Sequence, residues 1–327
     1  MLKEVPNHQW QKILVSHLEK AKKPLVVILG PTASGKTAFS IEIAKWVNSL
    51  PLGGRVSHSA PSSWPRGERG SKEFLYPLSR TLSPRERESQ IEIINADSRQ
   101  LYKYMDTGTA KITEEEMYID VPTPSPQSSP HGRGRVRIPH HLFSVLDPKE
   151  KVTVGWYKKE AERVIDDVLA RGNIPILVGG SMLYISAVTD GYVFTGRGGK
   201  HIAPIPYDLL IFGMQCPREE LVKRIEERTV HSLSPRERVR VRGSWITEVE
   251  SLLARGYQIS DPGMKSHGYR EIAQTLLVTR STLLDETTMQ NLYETITVKT
   301  RQYAKRQMTW WKGDERIQWI PWTSPLH

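Results

Sequence analysis

The sequence predicts an α/β protein built on a P-loop NTPase-like parallel sheet with flanking helices, and three observations predict it. Leu25-Val26-Val27-Ile28-Leu29 is a short β-branched run ending at Gly30, the mark of a strand buried on both faces. Gly30-Pro31-Thr32-Ala33-Ser34-Gly35-Lys36-Thr37 fits G-x-x-x-x-G-K-[ST] in full, between that strand and a helical pattern. Further apolar runs then alternate with helical patterns, which implies parallel strands covered by helices.

The elements follow in order. Residues 1–23 carry scattered charge and no continuous apolar core, so they read as an N-terminal extension, not a secretory signal, ahead of a domain spanning 24–327. Phe39, Ile43, Ala44 and Val47 have helical spacing within Thr37 to Val47. Ile91 to Ala96 is a second strand, ending at Asp97. Val164, Ile165, Val168 and Leu169 place a helix over Val154 to Ala170, closed by Gly172. Ile174 to Val178 and Tyr207 to Met214 are the third and fourth strands. Residues 244–312 read as mainly helical, with a last strand at Ile317 to Trp322.

Three segments break this pattern. Leu82-Ser83-Pro84-Arg85-Glu86-Arg87 recurs identically at Leu233 to Arg238, with looser copies near Ser63 and Ser128. Ser/Pro/Arg/Gly composition without periodic apolar positions cannot bury enough surface to order itself. Residues 49–90, 120–138 and 231–243 are therefore read as disordered insertions. They hold fourteen Arg and Lys against six Asp and Glu, a surplus of +8 within the net charge of +10. The basic balance alone is thus weak support for a nucleic-acid partner. One cysteine, Cys216, excludes an internal disulfide and any cysteine-based zinc site. With no apolar run near the ~20 residues a bilayer demands, the expected setting is cytoplasmic, without a membrane partner, and the expected state a monomer.

Chemistry enters at the P-loop. Its glycines let backbone N–H groups approach phosphate oxygens, and the helix N-terminus adds positive potential. Lys36 neutralises terminal phosphates, and the Thr37 hydroxyl is the candidate ligand for Mg²⁺. Asp97 ends a parallel strand at the edge that faces ligand crevices, where it can hold a metal or act as a base; an Asp that merely caps a helix is the alternative. Lys305, Arg306 and Lys312 interleave with Trp310 and Trp311, a pattern that suits RNA phosphates and bases or, equally, a solvated helix face over core tryptophans.

Taken together, Gly30–Thr37, Asp97-Ser98-Arg99-Gln100-Leu101-Tyr102 and Met105 to Lys111 resemble the tRNA dimethylallyltransferase family. So do Pro139-His140-His141-Leu142, Ile176 to Tyr184, Gly268-Tyr269-Arg270-Glu271 and Gln302 to Trp310. The resemblance runs from about residue 24 to residue 322. It implies that the P-loop holds the pyrophosphate of dimethylallyl diphosphate and that the prenyl group moves to N6 of an adenosine next to the anticodon, at position 37. Asp97 would then take the N6 proton, and Arg218 would reach the pyrophosphate. Contacts to tRNA would fall on Asp97, Ser98, Arg99, Gln100, Ser181, Lys265, Gly268, Tyr269, Arg270, Lys305, Arg306, Gln307, Trp310 and Lys312.

Two departures stand out. Ser181 replaces the family's usual Thr, with the hydroxyl kept. Only Gly191 to Pro206 spans the distance where the family carries a long helical tRNA-gripping insert. A prenyltransferase or kinase acting on a free nucleotide, and an inactive RNA-binding remnant, therefore stay open as alternatives. The Gln302–Trp310 motif disfavours the kinase.

Overall fold

The computed structural model describes residues 9–49, 90–122, 133–194, 200–233, 244–281 and 284–321. In chain order the first half comprises α1 (Trp10–Lys20), β1 (Pro24–Leu29), α2 (Lys36–Ser49), β2 (Ile91–Asn95), β3 (Tyr118–Pro122), β4 (Arg133–Arg137), β5 (His140–His141), α3 (Val154–Ala170) and β6 (Ile174–Gly179). There follow α4 (Met182–Thr189), β7 (Tyr192–Phe194), β8 (Lys200–Ile202), β9 (Asp208–Gln215), α5 (Arg218–Leu233), α6 (Trp245–Ala254), α7 (Tyr269–Thr279), α8 (Glu286–Trp311) and β10 (Ile317–Pro321).

Six strands form one sheet in the order β10-β9-β1-β6-β2-β5, and every pairing in it is parallel. The α/β expectation holds, and the physical reason is visible in β1. Leu25, Val27 and Leu29 face one apolar layer while Val26 and Ile28 face the other. A strand buried on both faces must be apolar at every position, which is the run read from the sequence. One face is covered by α1, α2 and the β3–β4 pair, the other by α3, α4 and the C-terminal helices. Helix α3 matches its expected span; the Thr153 hydroxyl caps it by accepting from Trp156 N at 3.1 Å.

Residues 10–20 do not behave as an appendage. Trp10 and Leu14 of α1 are buried, and the Trp10 ring meets Phe39 and Trp46 edge-on at centroid distances of 5.4 and 5.5 Å. The α1 sequence hides this because only one stripe of an otherwise polar helix is apolar.

Two of the three segments read as insertions lie, apart from their ends, outside the described residues: 50–89 of the first and 234–243 of the last. Residues 231–233 belong to α5, and Leu233 is buried. The middle segment needs correction at both ends. Residues 118–122 and 133–137 pair as an antiparallel hairpin, with Ile119 opposite Val136, and both side chains are buried against α2's layer. Alternation of Arg133, Arg135 and Arg137 with small or apolar residues is a half-buried strand pattern, which the Ser/Pro/Arg bias masked. Between α4 and β9, where the resemblance implied a helical insert, the chain forms the short β7–β8 pair. Among the described residues no helix is long and apolar enough to cross a membrane.

Candidate active site

The loops at the carboxyl ends of β1, β2 and β6 converge, as parallel sheets dictate. Gly30 and Gly35 take φ of +148° and +87°, which lets the P-loop fold back over the start of α2. Lys36 Nζ donates to Pro31 O at 2.7 Å, so the ammonium lies along the loop's own concavity. Loss of surrounding water lowers its pKa to about 8; the Asp97 charge opposes this, and Arg228 and Arg99 reinforce it. The Ser34 hydroxyl is buried without a hydrogen-bond partner. An unsatisfied donor of this kind is what a phosphate oxygen would complete.

Asp97 follows β2 and is fixed by its neighbours. Its backbone N–H donates to Asn95 Oδ1 at 2.8 Å, and Asn95 Nδ2 in turn donates to Asp97 O and Leu142 O. Arg99 N donates to Asp97 Oδ1 at 3.0 Å, with Arg99 Nε 3.7 Å from the same oxygen. Ser181, at the turn after β6, receives Ser98 N on its hydroxyl at 2.8 Å, which locks the Asp97 loop to the neighbouring strand. Gln100 Nε2 donates to Thr109 O at 3.0 Å and ties the loop to the next motif. That motif is itself pinned: the Glu248 carboxylate of α6 accepts from Asp106 N and Thr107 N at 2.9 and 2.7 Å. Lys111 is buried with its Nζ on Tyr102 O, Asp106 Oδ1 and Ser144 Oγ.

Between these loops lies a cavity of about 160 Å³. Thr32, Ala33, Gly35, Lys36 and Thr37 line one side, Asp97, Arg99 and Gln100 another, and Ile93, Ile112, Phe143 and Val178 supply an apolar wall. Arg228 completes it. Three cations, Lys36, Arg99 and Arg228, thus meet one carboxylate, a balance that calls for an anion.

Arg218 does not reach this cavity. It is exposed at the first turn of α5 and absent from the cavity lining. Arg228 is ten residues on, about 15 Å along the helix at 1.5 Å per residue. It donates to Thr32 Oγ1 at 3.4 Å and to Gly108 O at 3.2 Å, and burial lowers its pKa to about 10, so it stays charged. Arg224, one turn earlier, donates to Ala33 O at 3.1 Å. Their i,i+4 spacing beside the buried stripe of Ile225, Thr229 and Leu233 is a helix-face pattern legible in the sequence, though part of no motif.

Two further side chains, neither among the expected site residues, set the position of Arg99. His267 sits 3.1 Å from Arg99 Nη1, and burial, followed by the Arg99 charge, pushes its pKa down to about 3. It is therefore a neutral acceptor that aims the guanidinium. Tyr303 lies under the same group, 5.5 Å from Arg99 to the ring centroid, and its hydroxyl donates to Gly180 O at 3.2 Å.

The residues expected to touch tRNA divide. Lys265, Arg270, Lys305, Arg306, Trp310 and Lys312 are exposed. Gln307, Tyr269 and Gly268 are not available to a ligand outside the fold. Gln307 is buried, accepts from Thr32 N at 2.9 Å and donates to Gly180 O at 2.7 Å, so it staples α8 to the P-loop. Tyr269 is fully buried and donates to Glu248 Oε1 at 2.5 Å. Gly268 packs against the Trp245 ring, where a Cβ would approach to 2.0 Å. Burial inside the motif, invisible in a linear match, separates the two groups.

Among the described residues no cluster of three or more His, Cys, Asp or Glu forms a metal site. Mg²⁺ does not need one when phosphates and water supply most of its ligands. The Thr37 hydroxyl beside the P-loop fits that mode.

Comparison with known proteins bears on the family and the fold. A family model described as IPP transferase matches residues 100–201 and 194–314. The tRNA dimethylallyltransferase of Geobacter metallireducens is 29% identical over 92% of this chain and 94% of its own. That of Carboxydothermus hydrogenoformans is 29% identical over 90% and 91%. Among solved structures, the full-length tRNA isopentenylpyrophosphate transferase of Bacillus halodurans aligns with a TM-score of 0.63 at 24% identity, covering 92% of this chain and 91% of that one. A eukaryotic dimethylallyltransferase described as acting on tRNA aligns at 0.60 and 18% identity, covering 93% and 75%. These structural likenesses speak to the fold, and the family match runs from Gln100, three residues after Asp97, to just past the end of α8. The chain belongs to the IPP transferase family.

Proposed function

We propose that the protein transfers a dimethylallyl group from dimethylallyl diphosphate to N6 of the adenosine next to the anticodon, position 37, of a tRNA, releasing pyrophosphate. The observation that carries this reading is the cavity in which an intact P-loop faces Asp97 across an apolar wall. The relatives named as tRNA dimethylallyltransferases support the same substrate pair.

The chemistry follows from charge. The bond between C1 of the prenyl group and the diphosphate oxygen breaks as N6 attacks C1, and negative charge builds on the leaving oxygens. P-loop N–H groups, Lys36, Arg228 and Arg99, which line the cavity, would receive it. The apolar wall of Ile93, Ile112, Phe143 and Val178 suits a five-carbon hydrocarbon chain and excludes water from it. Neutral N6 becomes cationic on attack, so a base must take its proton. Among the described residues, both contacts to the Asp97 carboxylate fall on Oδ1, and Oδ2 would accept the proton. Bound Mg²⁺ would add charge neutralisation on the diphosphate, held by its oxygens, water and the Thr37 hydroxyl.

The acceptor must leave the anticodon-loop stack to enter a cavity of this size. The exposed cations Lys265, Arg270, Lys305, Arg306 and Lys312 are suited to hold the surrounding phosphates.

The test is transfer of labelled dimethylallyl from its diphosphate, with Mg²⁺, to unmodified tRNA and in parallel to free AMP. The expected result is label on tRNA alone, recovered as N6-modified adenosine. Label on AMP alone would replace the acceptor by a free nucleotide. Pyrophosphate binding with no label on either would mark a remnant that has lost catalysis.

A further inference from the structure

On the side of the sheet where the cavity opens, three segments outside the cavity lining lock into one rigid unit. Lys103 N donates to Leu146 O at 2.9 Å, and Tyr102 Oη to Glu150 O at 3.3 Å. Tyr257 Oη donates to Asp147 Oδ2 at 2.7 Å, and Gly263 N to Pro148 O at 2.9 Å. On this unit stands a row of two adjacent rings with a cation at each end. The Arg255 guanidinium lies 4.5 Å from the Tyr104 centroid, Tyr104 lies 6.4 Å from Tyr257, and Lys149 Nζ lies 5.4 Å from Tyr257.

Tyr104 is the exposed member, with 44% of its surface in solvent and φ of +63°. A bulky residue rarely holds a left-handed conformation, and a ring held out in it has forgone core packing. Lys103 next to it in the chain, Arg255 on its ring and Lys149 on Tyr257 are all exposed. The two nearby carboxylates are used internally: Asp147 takes Tyr257 Oη and Lys149 N, and Glu150 takes Asp147 N.

We propose that this row is a preformed RNA platform that stacks an unpaired base flanking the adenosine held in the cavity, with Arg255 and Lys149 on the adjoining phosphates. The proposal rests on the RNA acceptor argued above. An exposed ring with a cation on either side of the ring pair suits one stacked base with its two adjoining phosphates, whereas a protein partner of comparable affinity calls for a wider apolar patch. Reach is sufficient: Tyr104 lies four residues beyond Gln100 of the cavity wall, so their Cα atoms are at most about 14 Å apart. Rigidity reduces the ordering cost of binding.

Tyr104→Gly removes the ring at a position whose φ glycine adopts freely, and Arg255→Ala and Lys149→Ala remove exposed charges, so all three variants should fold. Each is titrated with an unmodified tRNA transcript carrying an adenosine after the anticodon, from about 50 to 200 mM salt, and in parallel with pyrophosphate. Tyr104→Gly is expected to weaken RNA binding about tenfold with its salt slope unchanged. Arg255→Ala and Lys149→Ala are each expected to reduce the slope by about 1. Pyrophosphate affinity should stay at the wild-type value throughout. RNA affinities within twofold of wild type and unchanged slopes in all three would overturn the platform and leave the acceptor reading intact. A wild-type protein that binds pyrophosphate but no RNA would overturn both.

Discussion

The P-loop end of the cavity and the surface proposed to face RNA are built in opposite ways. At the first, nearly every group the motif names converges on one point: Thr32, Ala33, Gly35, Lys36 and Thr37 share a wall, with Asp97 opposite. At the second, the motifs mix two kinds of residue. Gln307 is buried in a hydrogen-bonded staple, while Lys305 and Arg306 on the same turn of α8 are exposed. A P-loop acts through backbone geometry, so its sequence is its site. A helix acts through one face, so its sequence holds both the face and its foundation.

This contrast can be broken or sharpened by substitution. Among the helices, the largest effect is expected at α5. Removing one preorganised donor to a developing anion costs about 10²–10³ in rate, so Arg228→Ala should lose that much transfer while Arg218→Ala stays within about twofold of wild type. Equal losses would return Arg218 to the site. Next comes Gln307→Ala, which leaves Thr32 N and Gly180 O without their partner. Unsatisfied buried groups cost about 1–3 kcal/mol, so a lower denaturation midpoint and weaker pyrophosphate binding are expected together. A pure loss of RNA affinity would show Gln307 to be a contact residue instead.

A smaller effect concerns pH. In the free protein Lys36 has a pKa lowered to about 8, so it loses its charge as pH rises through that value. Pyrophosphate affinity should then fall by up to about tenfold per pH unit above 8, and Lys36→Arg, always protonated, should remove that slope. A slope that persists in the arginine variant would assign it to another group. The smallest effect belongs to Lys305→Ala and Arg306→Ala, each expected to lower the salt dependence of tRNA binding by about 1 with little change in pyrophosphate affinity.

Much of the fold was legible because buried parallel strands must be apolar throughout. Runs at 25–29, 91–96 and 174–178 became β1, β2 and β6 with ends shifted by a residue at most. What escaped was structure whose pattern is diluted. Helix α1 shows two buried side chains in eleven residues, and the β3–β4 hairpin lies in a segment dominated by Ser, Pro and Arg. At the site, the P-loop and Asp97 follow from motif and strand end, and Ser181 occupies the expected turn, with its hydroxyl on Ser98 N. Arg228 and His267 lie outside what the motifs specify: the helical spacing of α5 marks Arg228's face but not what that face meets, and His267 reaches Arg99 only through the turn before α7.

The central claim is that Asp97 accepts the N6 proton opposite a P-loop that holds the leaving group. It is tested most directly by single-turnover transfer to tRNA with wild type and Asp97→Asn, the variant that keeps the shape and loses the base. The account predicts a rate lowered by about 10²–10⁴, with tRNA and pyrophosphate affinities within about threefold of wild type. An unchanged rate would remove Asp97 from the chemistry, and a loss explained wholly by weaker tRNA binding would make it a positioning contact instead.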